Sequence, residues 1–319
     1  MKKYGFIAVL MIVALLLPAA QCDLMGGPAK GTEGNPITMY FVPSAEADKV
    51  LASGDKIAAA LEAATGYKFE TAVPTSYAAV IEAMGSGKAD IAWFATFAYI
   101  LAHEKYDADV ALTTVRYGAD EYKGQFIARA DSGLTKIEDI AGKKVAYTDA
   151  ASTSGHIYPS ALLAQKGIVP GETFFAGGHP QAALAVRQGT ADVGCTYHSG
   201  RRPDGTIGDA RRTLATKDSK ADPEGFKKEL EEIEKEIIII GFTDSIPNDT
   251  VTFRKDFPAD MRTKIVQALL DYSETDAGKE VLGDLYNITG FTRSDDSRYD
   301  VVRDALKALG KKAEDYLKE

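Results

Sequence analysis

Lys144-Val145-Ala146-Tyr147-Thr148-Asp149-Ala150-Ala151-Ser152-Thr153-Ser154-Gly155-His156 is the stretch whose reading decides the fold. Lys144 to Tyr147 reads as a short strand. Residues 157–165, with Pro159 in the first turn, read as a helix. Small hydroxylated residues at a strand-to-helix junction let backbone N–H groups converge on one point. The helix N-terminus adds partial positive charge there. Such a junction is an anion site that needs no Lys or Arg. Ser and Thr also form ordinary N-caps, so the loop alone leaves both readings open.

Outward from this loop the chain alternates between strand and helix patterns. Upstream, strands are expected at residues 37–42, 67–73, 90–94, 110–115 and 125–129. Helices are expected at 45–64, 77–84 and 97–105, with a short one at 137–141. Downstream, 173–175, 192–196 and 237–240 read as strands, and 181–188 and 226–235 as helices. Residues 258–319 read as mostly helical, with apolar residues at helical spacing over 299–309. Alternation of this kind predicts parallel sheets covered by helices. The chain also echoes itself: Gly87-Lys88-Ala89-Asp90-Ile91 and Gly189-Thr190-Ala191-Asp192-Val193 both join a helix to a strand. Two α/β lobes on one local plan follow, with the ligand outside the strand ends and between the lobes. Four junctions carry polar groups suited to that place: Ser44, Ser76 with Tyr77, the Ser152 loop, and His179 ahead of Pro180.

Composition narrows the function. The 319 residues carry a formal charge of −9, with 45% apolar residues. That acidity argues against nucleic acid as a partner. A small anion is still allowed where backbone dipoles bind it locally. The paired arginines Arg201-Arg202 and Arg211-Arg212 read as surface charge with no ligand role. The N-terminus reads as a signal peptide over residues 1–21: Lys2 and Lys3 precede an apolar run at 6–17, too short to span a bilayer. Cys22 then reads as a lipid-attachment residue, with plain secretion and an ordinary thiol at Cys22 as the alternative, and 22–35 as a flexible Gly-rich tether. Cys195 sits in an apolar strand pattern and reads as a core residue. The four histidines show no metal-ligand spacing, and there is no phosphate-binding Gly loop or nucleophile elbow. No metal, cofactor or catalytic role is therefore expected. A Ser154/His179/Asp249 triad is set aside for lack of that elbow.

The order of motifs resembles the substrate-binding proteins of phosphonate, phosphite and phosphate ABC transporters. The motifs are Tyr77-Ala78-Ala79-Val80-Ile81, Lys88-Ala89-Asp90-Ile91-Ala92-Trp93-Phe94, Ser152-Thr153-Ser154-Gly155, Gly178-His179 before Ala182-Ala183-Leu184-Ala185-Val186, and Ser245-Ile246-Pro247-Asn248-Asp249. The resemblance runs from about residue 36 to 303. It implies a two-lobed periplasmic-binding-protein fold of type II. Lobe 1 would comprise 36–127 plus 245–319 and lobe 2 would comprise 128–244, with crossings near 125–131 and 237–245.

The resemblance also implies roles. Ser152, Thr153 and Ser154 would bind an oxyanion, with Gly155 beside them. His179 and Tyr77 would add hydrogen bonds. Asp249 would accept from a protonated ligand oxygen and so reject sulfate. Phe94 stands where a hydroxylated ring is common in the family, with Thr96 a substitute donor. Residues 195–199 offer no acid for an amine, which favours phosphite, phosphate or a small alkylphosphonate over an amino-alkyl ligand. The implied protein is a monomeric, extracytoplasmic binding protein that delivers its ligand to a membrane permease. A non-phosphorus solute such as a sulfonate, or a sensing role with a separate receptor, is the alternative.

Overall fold

The computed structural model describes residues 27–308; the expected leader and Cys22 lie outside the described residues. The chain opens with β1 (Ile37–Phe41), α1 (Ala47–Thr65), β2 (Phe69–Ala72), α2 (Tyr77–Gly85), β3 (Ile91–Phe94), α3 (Thr96–Tyr106) and β4 (Asp109–Val115). Val50, Ile57 and Leu61 recur at helical spacing on α1 and are buried against the sheet. Gly54 lies on the same face. A Cβ there would stand 2.7 Å from the Phe41 ring, so only glycine lets the helix approach β1 this closely. The helix ends where Gly66 turns left-handed, with φ of 75°.

The chain then crosses to a second sheet. It forms β5 (Glu121–Arg129), β6 (Lys144–Tyr147), α4 (Tyr158–Gln165), β7 (Glu172–Phe175), α5 (His179–Arg187), β8 (Val193–Arg201), β9 (Ile207–Asp209), α6 (Pro223–Glu236) and β10 (Ile237–Pro247). It returns for β11 (Thr250–Phe253), α7 (Ala259–Glu274), α8 (Asp276–Tyr286), β12 (Gly290–Arg293) and α9 (Asp300–Ala308). The first sheet runs β12-β4-β11-β3-β1-β2. The second runs β10-β5-β8-β6-β7, with β9 on β8. Both are buried on two faces. α1, α7 and α8 pack on Met39, Phe41 and Trp93, and residues of α2, α3 and α9 pack on Phe94 and Val110. In the second lobe Cys195 is fully buried beside Phe126 and Val145, as its apolar setting predicted.

The internal echo has a physical cause. Thr38 N–H donates to Asp90 Oδ2 at 2.9 Å, and Lys144 N–H donates to Asp192 Oδ2 at 2.9 Å. In both lobes the aspartate after a left-handed glycine (Gly87 and Gly189, each with φ of 72°) clamps the start of the adjacent parallel strand.

Three expectations change. The sheets are mixed rather than parallel. β1 pairs in parallel with β2 and β3, and β6 with β7 and β8, but β11 and β12 enter the first sheet antiparallel, as β5 and β10 do the second. The crossings lie at residues 116–120 and 248–249, not at 125–131 and 237–245. β10 stays paired with β5 from Ile237 to Pro247, because bulges between Ile239 and Gly241 and between Phe242 and Ser245 absorb residues that read as a break. Finally, residues 30–35 of the expected tether are held against lobe 1. Lys30 Nζ reaches Asp90 at 2.6 Å, Gly31 N–H donates to Asn35 O, and Lys68 N–H donates to Gly31 O.

The two crossings are tied to each other. Asn248 is fully buried. Its Nδ2 donates to Thr114 O and Ala119 O at 3.0 Å, its Oδ1 accepts from Arg116 at 3.1 Å, and its N–H donates to Asp120 O at 2.9 Å. Asn248→Ala leaves the buried Thr114 carbonyl and Arg116 Nη1, and the Ala119 carbonyl nearer the surface, without that partner. It is expected to lower unfolding stability by about 2 kcal/mol or more in urea titration; a change under about 0.5 kcal/mol, the usual span for a surface site, would contradict this account of the hinge.

Candidate functional site

A cleft of about 590 Å³ lies between the sheets. Lobe 1 lends it Ser44, Tyr77 and Tyr286; lobe 2 lends it Tyr122, Ser152, Ser154, His179 and Tyr197. Arg116 and Asp249 reach it from the two crossings.

The Ser152 loop is built as its sequence dictates. Ser152 caps a single π turn, Thr153–Ile157, that runs into α4 with Pro159 near its start. Ser152 Oγ accepts from Gly155 N–H at 3.2 Å. His156 and Ile157 N–H groups donate to Ser152 O. Thr153 and Ser154 precede those bonds, so their N–H groups stand at the open, positive end of the turn. Gly155 has no alternative there, because a Cβ would come 1.9 Å from Thr148 Oγ1.

His179 opens α5 and is nearly fully buried, with its ring 4.9 Å from that of Tyr197. Burial, aided by the Arg116 charge, lowers its pKa from 6.5 to about 3. The imidazole is therefore neutral, with one nitrogen to donate and one to accept. Its Nδ1 is buried without a hydrogen-bond partner, a position a ligand oxygen can satisfy. Burial also drives the phenols of Tyr77, Tyr122, Tyr197 and Tyr286 above their ordinary pKa, so all four remain neutral.

Asp249 does not enter the cleft alone. Arg116 Nη2 pairs with its Oδ2 at 2.5 Å, Nε donates to Tyr286 O at 2.8 Å, and Nη1 donates to Asn248. Burial opposes the Arg116 charge, but the Asp249 carboxylate outweighs it and keeps the guanidinium pKa raised. The pair is neutral as a unit, which relieves an incoming anion of most of the carboxylate's repulsion.

Of the residues expected at a ligand, Ser44, Tyr77, Ser152, Ser154, His179 and Asp249 share this cleft. Four others are placed elsewhere. Thr153 turns its Oγ1 to Phe97 N–H at 2.7 Å, bridging the lobes. Phe94 is fully buried in the lobe 1 core. Thr96 Oγ1 donates to Pro247 O. Gly155 supports the turn and does not line the cleft. Sequence reasoning missed Arg116, Tyr122, Tyr197 and Tyr286. Arg116 carried a usable signal, since it directly follows the apolar run of β4. It also missed Asp149, whose Oδ2 accepts from Tyr77 N–H at 3.3 Å across the cleft. Burial raises the Asp149 pKa, partly offset by N–H donors from Ala151 and Tyr77.

The paired arginines were read as surface charge, and that reading holds only for Arg201. Arg201 does face outward to Glu234 at 2.8 Å, and Arg211 is buried on Asp209 at 2.8 Å. Arg202 and Arg212 line the cleft. Each pair is therefore divided between two environments.

Two α/β lobes, two short crossings and a polar interlobe cleft define a hinged solute-binding protein. Residues 39–299 match the family described as ABC transporter, phosphonate, periplasmic substrate-binding protein, and the chain belongs to that family. It is 36% identical over 202 residues to the phosphate-import protein PhnD of Mycolicibacterium smegmatis, an alignment covering 58% of this chain and 62% of that relative's length. A binding protein of a phosphonate ABC transporter from Pseudomonas aeruginosa superposes with a TM-score of 0.72 at 22% identity, covering 86% of this chain and 87% of the other. PhnD1 from Prochlorococcus marinus, solved with methylphosphonate, gives 0.70 at 14% identity, covering 86% and 98%. No helix among the described residues is long and apolar enough to cross a membrane.

The His179 pKa sets a pH prediction. The unfolded chain takes up that proton near pH 6.5 and the folded chain only near 3, so this residue's contribution to stability is present above 6.5 and declines as pH falls below it. NMR of the imidazole carbons, assigned by comparison with His179→Gln, is expected to show no titration of His179 between pH 8 and about 4.5. A titration step near 6.5 would contradict the buried, neutral ring.

Proposed function

We propose that this protein is the solute-binding component of an ABC importer and captures a small phosphorus oxyanion: phosphite, phosphate or a small alkylphosphonate. The observation that carries the reading is convergence. The open end of the Ser152 turn, the Ser152 and Ser154 hydroxyls, neutral His179 and the Tyr77 phenol meet in one interlobe cleft beside an Asp249 already neutralised by Arg116. Neutral donors are what an oxyanion needs in a partly dry site, since they strengthen there without the desolvation cost of free cations. Asp249 has a second carboxylate oxygen to accept from the P–OH of phosphate or of a singly protonated phosphite or alkylphosphonate. Sulfate has no such proton at neutral pH and would leave that acceptor unpaired.

The mechanism is a clamp. The ligand docks on the Ser152 turn, and rotation about residues 116–120 and 248–249 brings Tyr77 from lobe 1 onto it. The contacts Tyr77 to Asp149 and Phe97 to Thr153 then close the two lobes over the ligand. A permease recognises the loaded, closed form, and no bond of the ligand is made or broken. Cys22, once acylated, holds the monomer at the outer face of the membrane.

Calorimetric titration with phosphite, methylphosphonate, phosphate, aminoethylphosphonate and sulfate tests this reading. One phosphorus oxyanion is expected to bind well ahead of sulfate. Asp249→Asn is expected to weaken it by about tenfold or more, the scale of one lost charged hydrogen bond. Failure of all the phosphorus ligands to bind would overturn the assignment.

A further inference from the structure

The cleft is larger and more cationic than a single oxyanion requires. Its volume of about 590 Å³ equals roughly 20 waters at about 30 Å³ each, and a phosphite or phosphate displaces only a few of these. Seven cationic and four acidic side chains line it, in a chain whose formal charge is −9. Most of the cations are matched locally: Arg116 by Asp249, Lys49 by Glu46, Lys217 by Asp222, and Lys220 by Glu280 and Asp284.

Arg202 and Arg212 are not matched in that way. Arg202 Nη1 donates to Tyr117 Oη at 2.9 Å and to the Asn287 side chain. Arg212 Nη1 donates to Thr206 Oγ1 at 2.9 Å, and its guanidinium lies 4.5 Å from the centre of the Phe226 ring. Every one of these partners is neutral, and among the described residues neither arginine has a carboxylate within ion-pair distance. Asp204 acts on both through space, but its Oδ1 is taken by the N–H and Oγ1 of Thr206. Burial and the neighbouring Arg202 charge both lower the Arg212 pKa, the mark of two like charges held close together. Tyr197 joins this corner to the oxyanion end: its ring packs on His179, and it lies within electrostatic reach of Arg116 and Arg202.

Two adjacent guanidiniums with neutral partners and part of their fork free are suited to a carboxylate or phosphoryl group. Resting on the proposed function above, we infer that Arg202 and Arg212 form a second anion subsite in the cleft. The preferred ligand is then a phosphorus oxyanion that carries a further anionic group, a carboxylate or a second phosphoryl. The first group sits on the Ser152 turn and the second lies past Tyr197 on the arginines.

The test is calorimetry on the mature chain at fixed salt with methylphosphonate, phosphonoacetate and diphosphate. Arg212 is the residue to change, because its contacts lie within lobe 2 whereas Arg202 also bonds Asn287 across the cleft. Wild type is expected to bind phosphonoacetate or diphosphate about tenfold or more tighter than methylphosphonate, and which one wins names the second group. Arg212→Met is expected to abolish that preference while leaving methylphosphonate within about twofold, and Arg212→Lys to restore part of it. Retained near-ultraviolet circular dichroism confirms that the variants are folded. Methylphosphonate binding without any preference for the two-anion probes would overturn the subsite and leave the solute assignment standing. Equal weakening of all three ligands by Arg212→Met would also overturn it, since that is the signature of a general field. No binding of any phosphorus ligand would overturn both.

Discussion

The ion pair between buried Arg116 and half-buried Asp249 is the constraint on which the rest of the site depends. Each residue sits in one of the two crossings, and each crossing is only a few residues long. Arg116 also holds Asn248 and the end of α8, so one guanidinium gathers the hinge, the return strand and a helix of lobe 1. Removing one partner of a buried ion pair costs about 3–5 kcal/mol, because the other charge stays behind unpaired. The same pair solves an electrostatic problem: an anion site can contain a carboxylate acceptor only if that carboxylate is neutralised from behind.

With the hinge fixed, the remaining contacts divide by lobe. In the proposed clamp, lobe 2 is the receiving surface, with the Ser152 turn and His179 set on a sheet buried on both faces, and lobe 1 is the closing surface, with Tyr77 at the N-terminus of α2 and Tyr286 at the C-terminus of α8. The described conformation is closed: Asp149 grips the backbone of Tyr77, Thr153 grips that of Phe97, and Arg202 reaches Asn287. Ala151, Ile157 and Tyr158 of lobe 2 also join the lobe 1 apolar cluster beside the Thr153 contact.

How far the sequence was legible follows from how local each signal is. The strand-turn-helix at Ser152, the Gly66 stop and the Asp90/Asp192 echo are set by neighbours in the chain, and each is found where its residues predict. The mixed sheet order was hidden, because antiparallel entry of β11 and β12 depends on pairings far apart in sequence. The crossings were misplaced because bulges between Ile239 and Gly241 and between Phe242 and Ser245 continue pairing through residues that read as a turn. The place of Arg116 after β4 was a usable signal, but its pairing was hidden for a similar reason: its partner lies 133 residues away. Arg202 and Arg212 were misjudged because charge on a hydrophilic stretch is usually solvated; Arg202 directly follows β8 and Arg212 lies in the turn after β9, and only the tertiary fold brings both to the cleft.

The most direct measurement of the account is a crystal structure of the mature protein with methylphosphonate. The account places the phosphonate oxygens within hydrogen-bonding distance of the Thr153 and Ser154 N–H groups, with Tyr77 Oη closing from the opposite lobe. A ligand bound away from the Ser152 turn, or bound there with Tyr77 still withdrawn, would contradict the clamp.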